Sequence, residues 1–177
     1  MFSPVRHAVK PPPFLGIIRH KVQSMTEANQ KGLITEIQCQ YDFSKYGIML
    51  SQPIFPDSRY DFIADICGKL YRIQCKAAMI ADDNSFIKFK SHMTNIRQNT
   101  ESFYGKNDID YFYTHYNGQG YLIPVGIGGK QEKVLRFSAK QNHSTILWAK
   151  DFTIEKILTQ LGYDYSNNSW SNTITKG

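Results

Sequence analysis

Two β-rich runs in this chain meet at a dipeptide that only a tight turn can absorb. Tyr60-Asp61-Phe62-Ile63-Ala64-Asp65-Ile66 leads into Cys67-Gly68, and Lys69-Leu70-Tyr71-Arg72-Ile73-Gln74-Cys75-Lys76-Ala77-Ala78 follows. An x-Gly pair between such runs marks a hairpin with a two-residue loop. That loop fixes the register. Ile66 faces Lys69, and Asp61 falls opposite Gln74. Side chains alternate along a strand, so Gln74 and Lys76 share a face, and the pairing adds Asp61 to it. Arg59, opposite Lys76, joins them if the pairing persists that far. Cys75 points the other way, toward a core.

The rest of the chain supplies elements to pack on this hairpin. Ser24-Met25-Thr26-Glu27 fits a capping box. Leu33, Ile34, Ile37 and Tyr41 then recur at helical spacing and Gly47 supplies a stop, which predicts a helix over about 26–46. Pro53 and Pro56 set turns around an extended Ile48–Leu50 segment. Further strands are predicted at Phe86–Lys90, Ile109–Tyr116, Tyr121–Val125 and Val134–Phe137, with Asn117-Gly118-Gln119-Gly120 linking the middle pair. Ser91–Asp108 reads as a polar connection. A closing helix over about 153–161 carries Ile154, Ile157, Leu158 and Leu161 on one stripe, with Gly162 after it. Helices beside a mixed sheet give an α/β or α+β class.

A chain of 177 residues suits one domain with its own core. We divide it into an arm at 1–24, a domain at 25–162 and a polar tail at 163–177. The arm holds Arg6, Lys10, Arg19 and Lys21, no acid, and Pro11-Pro12-Pro13, which forbids a helix there. It reads either as a mobile basic arm or as an extension upstream of a start at Met25. The net charge of +6 points toward an anionic partner. No apolar run reaches the ~18 residues of a membrane helix. Three cysteines without a C-x-x-C pair argue against a disulfide framework and for a reducing, cytoplasmic setting.

Asp61, Gln74 and Lys76 on one hairpin face can form a Mg²⁺ site, since that ion takes hard oxygen ligands and keeps several waters. Asp61 offers a carboxylate, Gln74 an amide oxygen, and Lys76 a charge for a water or a phosphate. Glu36, at the margin of the first helix's apolar stripe, offers a second acid. Strand residues at this spacing are also found simply facing solvent. The five histidines show no metal-binding spacing. Gly126-Ile127-Gly128-Gly129-Lys130 lacks the Walker spacing and reads as a turn. Tyr111, Phe112 and Tyr113 read as sheet.

The order of Glu36, Pro56-Asp57-Ser58-Arg59-Tyr60-Asp61 and Gln74-Cys75-Lys76 resembles the PD-(D/E)xK nuclease superfamily. Within it the chain looks most like the intron-encoded homing endonucleases and their resolvase relatives, over roughly Gln30 to Phe152. Tyr121-Leu122-Ile123-Pro124-Val125 and Leu135-Arg136-Phe137-Ser138 belong to the same pattern. The resemblance implies a restriction-endonuclease-like core, with a mixed sheet flanked by helices. It implies metal binding by Glu36, Asp61 and the main-chain carbonyl of Cys75, with Lys76 assisting the water. It implies Mg²⁺, double-stranded DNA, a homodimer or homotetramer, and a prokaryotic or phage source. Gln74 departs from the usual acid, in a way the homing branch accepts, and Asp57 falls to the turn. A junction-resolving or repair nuclease, or a catalytically weak DNA binder on the same fold, are the alternatives. Surplus base outside the arm nominates Arg97, Lys106, Lys133, Arg136 and Lys140 as DNA contacts.

Overall fold

The computed structural model describes residues 25–55, 57–95, 100–138 and 144–167. At its centre lies the predicted hairpin. Strands β2 (Phe62–Ile66) and β3 (Lys69–Cys75) pair with Phe62 opposite Ile73 and Ile66 opposite Lys69, the register the turn requires. Cys67 and Gly68 both hold positive φ, 54° and 77°. A second two-residue turn, Asn117-Gly118 at 49° and 77°, joins β8 (Tyr111–Tyr116) to β9 (Gln119–Pro124). Gln119 and Gly120, expected in that turn, belong to the strand.

A short β1 (Leu50–Ser51) edges β2, and β3 pairs with β8 in parallel while every other neighbour is antiparallel. The result is a mixed five-stranded sheet ordered β1-β2-β3-β8-β9. Parallel pairing needs a long crossover. The chain between β3 and β8 uses that length to build β4 (Met79–Ile80) and β5 (Phe86–Lys90), which with β10 (Glu132–Arg136) form a second sheet, β10-β5-β4. It also builds a hairpin, β6 (His92–Asn95) with β7 (Thr100–Phe103), inside the segment expected to be a plain connection.

The five-stranded sheet is covered on both faces, which is why Phe112, Tyr113 and Thr114 are consecutively buried on β8. Helix α1 (Glu27–Lys45) covers one face, with Phe43 against Tyr113 at 6.5 Å between rings. The second sheet covers the other, with Phe89 against Phe112 at 5.6 Å. Helix α2 (Ile154–Gln160) packs on β9 and buries Ile154, Ile157 and Leu158, the stripe foreseen for it. This α+β arrangement is that of a restriction-endonuclease-like core.

Three local expectations are corrected. The cap of α1 is Thr26, whose hydroxyl accepts from the Asn29 amide at 3.3 Å, while Ser24 lies outside the described residues. The apolar stripe of α1 faces outward, with Leu33, Ile34, Ile37 and Tyr41 between 43% and 64% exposed. The face turned to the sheet is Thr35, Cys39, Asp42 and Phe43, whose polar members are both partnered, Thr35 donating to the Lys31 carbonyl of its own helix at 2.9 Å. Asp42 accepts from the Tyr113 hydroxyl at 2.6 Å and pairs with Lys45 at 2.8 Å. The tail begins as packed structure: Tyr163 and Tyr165 set their rings edge-on to Tyr46, and the Tyr163 hydroxyl donates to the Tyr46 carbonyl. The arm 1–24 lies outside the described residues.

Candidate active site

The turn that fixes the hairpin register also delivers Asp61 to Gln74. The Asp61 amide donates to the Ile73 carbonyl at 2.9 Å, extending the ladder one residue past β2. Asp61 Oδ2 accepts from the Cys75 amide at 2.6 Å and from Gln74 Nε2 at 2.7 Å. Its Oδ1 accepts no hydrogen bond among the described residues. A carboxylate only accepts, so the amide nitrogen of Gln74 must be the atom that faces it. The same Nε2 reaches the Cys75 carbonyl at 3.3 Å, so this side chain bridges two of the atoms expected to hold metal.

Lys76 continues the parallel pairing through its amide, which donates to the Tyr113 carbonyl at 2.9 Å. Its side chain lies on the Asp61 and Gln74 face, as alternation requires. Burial pushes the Lys76 ammonium toward losing its proton, and the Asp61 charge opposes that. Burial in turn raises the Asp61 carboxyl, offset by the Cys75 amide, Lys76 and Gln74. Glu36 enters from α1, the helix that covers the opposite face of the sheet. Its carboxyl is raised by burial first and then by the charge of Asp61.

Two carboxylates close enough for the Asp61 charge to raise Glu36, with one Asp61 oxygen bearing no hydrogen bond, fit a hard divalent cation. Among the described residues no three His, Cys, Asp or Glu side chains converge as a closed cage. An open set of Glu36, Asp61 and the Cys75 carbonyl suits Mg²⁺, which keeps waters in its shell. The Cys75 thiol is buried in the core beside Cys39, and all three cysteines are free. Asp57 is exposed in the turn before the site.

Beyond Lys76 the structure adds residues that the sequence reading did not assign. Tyr104, directly after β7, lies with its hydroxyl 3.3 Å from Lys76 Nζ. The guanidinium of Arg59 sits 5.0 Å from the centre of the same ring. Arg59 does reach the face foreseen for it, and it donates to Ser102 Oγ at 2.8 Å, the Phe103 carbonyl at 2.9 Å and Asp108 Oδ2 at 3.2 Å. The one available signal was Phe103-Tyr104-Gly105, an aromatic pair closing a short strand.

The nominated DNA contacts separate. Arg97 and Lys140 lie outside the described residues. Lys106 is exposed on the rim of a cavity of about 690 Å³ that Tyr104, Lys130 and Lys133 also line. Lys133 corrects the expectation. On β10 it alternates inward with Leu135, is 3% exposed, and donates to the Val125 carbonyl at 3.0 Å and to that of Ile127. Its ammonium locks the β9–β10 turn and is turned away from solvent. Arg136 stands apart, with its guanidinium 5.1 Å from the Phe86 ring centre.

No curated protein matches the chain. Among solved structures, a bacterial homing endonuclease, I-Ssp6803I, superposes with a TM-score of 0.61 at 20% identity, over 77% of this chain and 97% of that one. That likeness is one of fold. The family model for PD-(D/E)XK endonucleases matches residues 26–155, which include Glu36, Asp61, Gln74 and Lys76. The chain belongs to the PD-(D/E)XK endonuclease family.

Proposed function

We propose that this protein is a Mg²⁺-dependent endonuclease that hydrolyses phosphodiester bonds of double-stranded DNA at a specific site, as a homing endonuclease does. The observation that carries the reading is the convergence of Asp61, Gln74 and Lys76 on one hairpin face with Glu36 arriving from α1. Glu36, Asp61 and the Cys75 carbonyl would hold the ion. Bound there, Mg²⁺ supplies Lewis-acid polarisation of a phosphate oxygen and acidifies a water. The chain's own residues do the rest. Gln74 donates to Asp61 and to the Cys75 carbonyl, orienting both toward the ion. Lys76 places a compact positive charge where the attacking water and the phosphate's developing charge meet. Lys106 and Arg136, together with Arg97 and Lys140, are the candidate phosphate contacts.

One copy carries one such site, and cutting both strands calls for two related by a twofold. The outward stripe of Leu33, Ile34, Ile37 and Tyr41 on α1 supports self-association, because it offers apolar surface on the helix that also carries Glu36. A nicking assay on supercoiled plasmid, with Mg²⁺ or with EDTA, tests the activity. Cleavage is expected with Mg²⁺ alone, and binding without cleavage at any metal concentration would identify a DNA-binding protein instead. Preference for a four-way junction over linear duplex would identify a structure-selective nuclease.

A further inference from the structure

We propose that Tyr104 is a positioning residue for Lys76, holding the ammonium where the reacting phosphate passes, and that Arg59 holds Tyr104. The inference rests on the nuclease reading of Lys76. A lysine carries its charge on a flexible four-carbon stem, and a loosely held ammonium stabilises little of a transition state. Among the described residues no carboxylate comes within ion-pairing distance of Lys76. Among those residues the one side-chain hydrogen bond that Nζ makes is its donation to the Tyr104 hydroxyl at 3.3 Å, with the ring centre 5.0 Å away.

A phenol suits this task better than a carboxylate does. Burial, with the Asp61 charge next, pushes the Tyr104 hydroxyl up to about 12, so it stays neutral. It accepts a hydrogen bond from the ammonium without cancelling the charge that catalysis uses. The ring itself is fixed from several sides. Phe112 meets it edge-on at 5.4 Å and 90°. Arg59 stacks 5.0 Å from its centre, and the guanidinium is pinned to Ser102, Phe103 and Asp108. Asp108 also accepts from the Gly105 amide at 2.8 Å, closing the turn that follows Tyr104. Arg59 lies two residues before Asp61 and Tyr104 lies directly after β7. This cluster therefore ties the β6–β7 hairpin to both sides of the active site.

The test is single-turnover cleavage with enzyme in excess, for Tyr104→Phe and Tyr104→Leu in the wild-type and Lys76→Ala backgrounds. Tyr104→Phe keeps the ring and loses the hydroxyl, so the saturating cleavage rate constant should fall about 10-fold; Tyr104→Leu loses both, and the fall should approach about 100-fold, the scale of a small misplacement of a catalytic group. The half-saturating enzyme concentration and metal-free DNA affinity should stay at wild-type values in Tyr104→Phe, because the hydroxyl acts on the transition state and not on ground-state binding. In the Lys76→Ala background, itself slowed about 10²–10³-fold and still measurable, neither change should slow cleavage further. A wild-type rate constant for Tyr104→Phe would overturn the inference. So would an equal loss in both backgrounds, since Tyr104 would then act without Lys76. Undiminished cleavage by Lys76→Ala alone would instead remove the role given to that lysine.

Discussion

The central sheet holds an aspartate on each of its faces, one buried and one half-buried, and the two are treated oppositely. Asp42, on the α1 side, is 1% exposed and fully matched: Tyr113 donates to one oxygen and Lys45 pairs with the other. Gly120 leaves room for it, since a Cβ there would stand 2.2 Å from Asp42 Oδ2. Asp61, on the other side, gathers both its hydrogen bonds on Oδ2 and lies in the field of another carboxylate, Glu36. One carboxylate is completed by the protein, and the other is left with charge for something else to complete. The contrast separates a structural acid from a candidate functional one without reference to any relative.

The largest effect should divide the two sites cleanly. Asp61→Ala or Glu36→Ala should reduce cleavage by at least about 10²–10³-fold, the scale of removing a preorganised electrostatic group. Glu36→Ala should leave thermal stability near wild type, and Asp61→Ala, which removes the acceptor of the Cys75 amide, should cost about 1–2 kcal/mol. Asp42→Ala should do the reverse, costing about 2–4 kcal/mol because it strands the buried Tyr113 hydroxyl and removes the ion pair with Lys45. The folded fraction should retain its kcat. Urea unfolding beside a plasmid assay reads both, and a catalytic loss in Asp42→Ala larger than its loss of folded protein would collapse the distinction. Gly120→Ala should act on the same side at a smaller cost, about 1–3 kcal/mol of overpacking. Asp42 and the Tyr113 ring, 3.0 Å from that Cβ, would both have to move.

The next effect sharpens the functional side. Gln74 donates to Asp61 where most of the superfamily has an acid. Gln74→Glu would set a third carboxylate beside Asp61 and Glu36 and remove the donated hydrogen bond. Cleavage should fall at low Mg²⁺ and recover as Mg²⁺ is raised, since the ion relieves the added repulsion. A variant faster than wild type at low Mg²⁺ would show that the amide is merely a weakened ligand. Stability offers a second reading. Saturating Mg²⁺ should raise the Tm of wild type, by about 2.7 kcal/mol of linkage at 100 times Kd, and should leave Asp61→Ala nearly unmoved.

How much of this contrast was legible in the sequence depends on how local its causes are. The Asp61–Gln74 pairing followed from Cys67-Gly68 alone, because a two-residue turn leaves the register no freedom. The Asp42–Tyr113 pair was not legible, since its partners lie 71 residues apart and each is individually unremarkable. For the same reason α1 was read inside out. Its sheet face carries Thr35 and Asp42, made tolerable by partners, while its apolar stripe looks outward. Lys133 misled in the same way, its inward charge being matched by turn carbonyls that no periodicity reveals. The β6–β7 hairpin was missed because its strands are four residues each and polar, and Tyr104 was missed with it.

The smallest expected effect is a pH dependence that belongs to the structural side. His115, on β8 near Asp42 and Lys45, has its imidazole held below its ordinary value by burial, with Lys45 adding to the shift and Asp42 opposing it. A histidine whose folded-state value is depressed is favoured neutral in the folded protein. Its contribution to stability is therefore whole above the unfolded value near ~6.5 and is lost as pH falls through it. His115→Gln removes that titration, so between pH 7.5 and pH 5 it should lose less stability than wild type, by about 0.5 kcal/mol at most. Asp42 opposes the shift, so Asp42→Asn should deepen the acid-side loss attributed to His115. Urea midpoints for wild type, His115→Gln, Asp42→Asn and the double variant at the two pH values read both effects. If Asp42→Asn instead flattens the histidine's pH dependence, the Asp42 charge is not acting on His115, and the self-contained polar cluster on this face of the sheet would have to be redrawn.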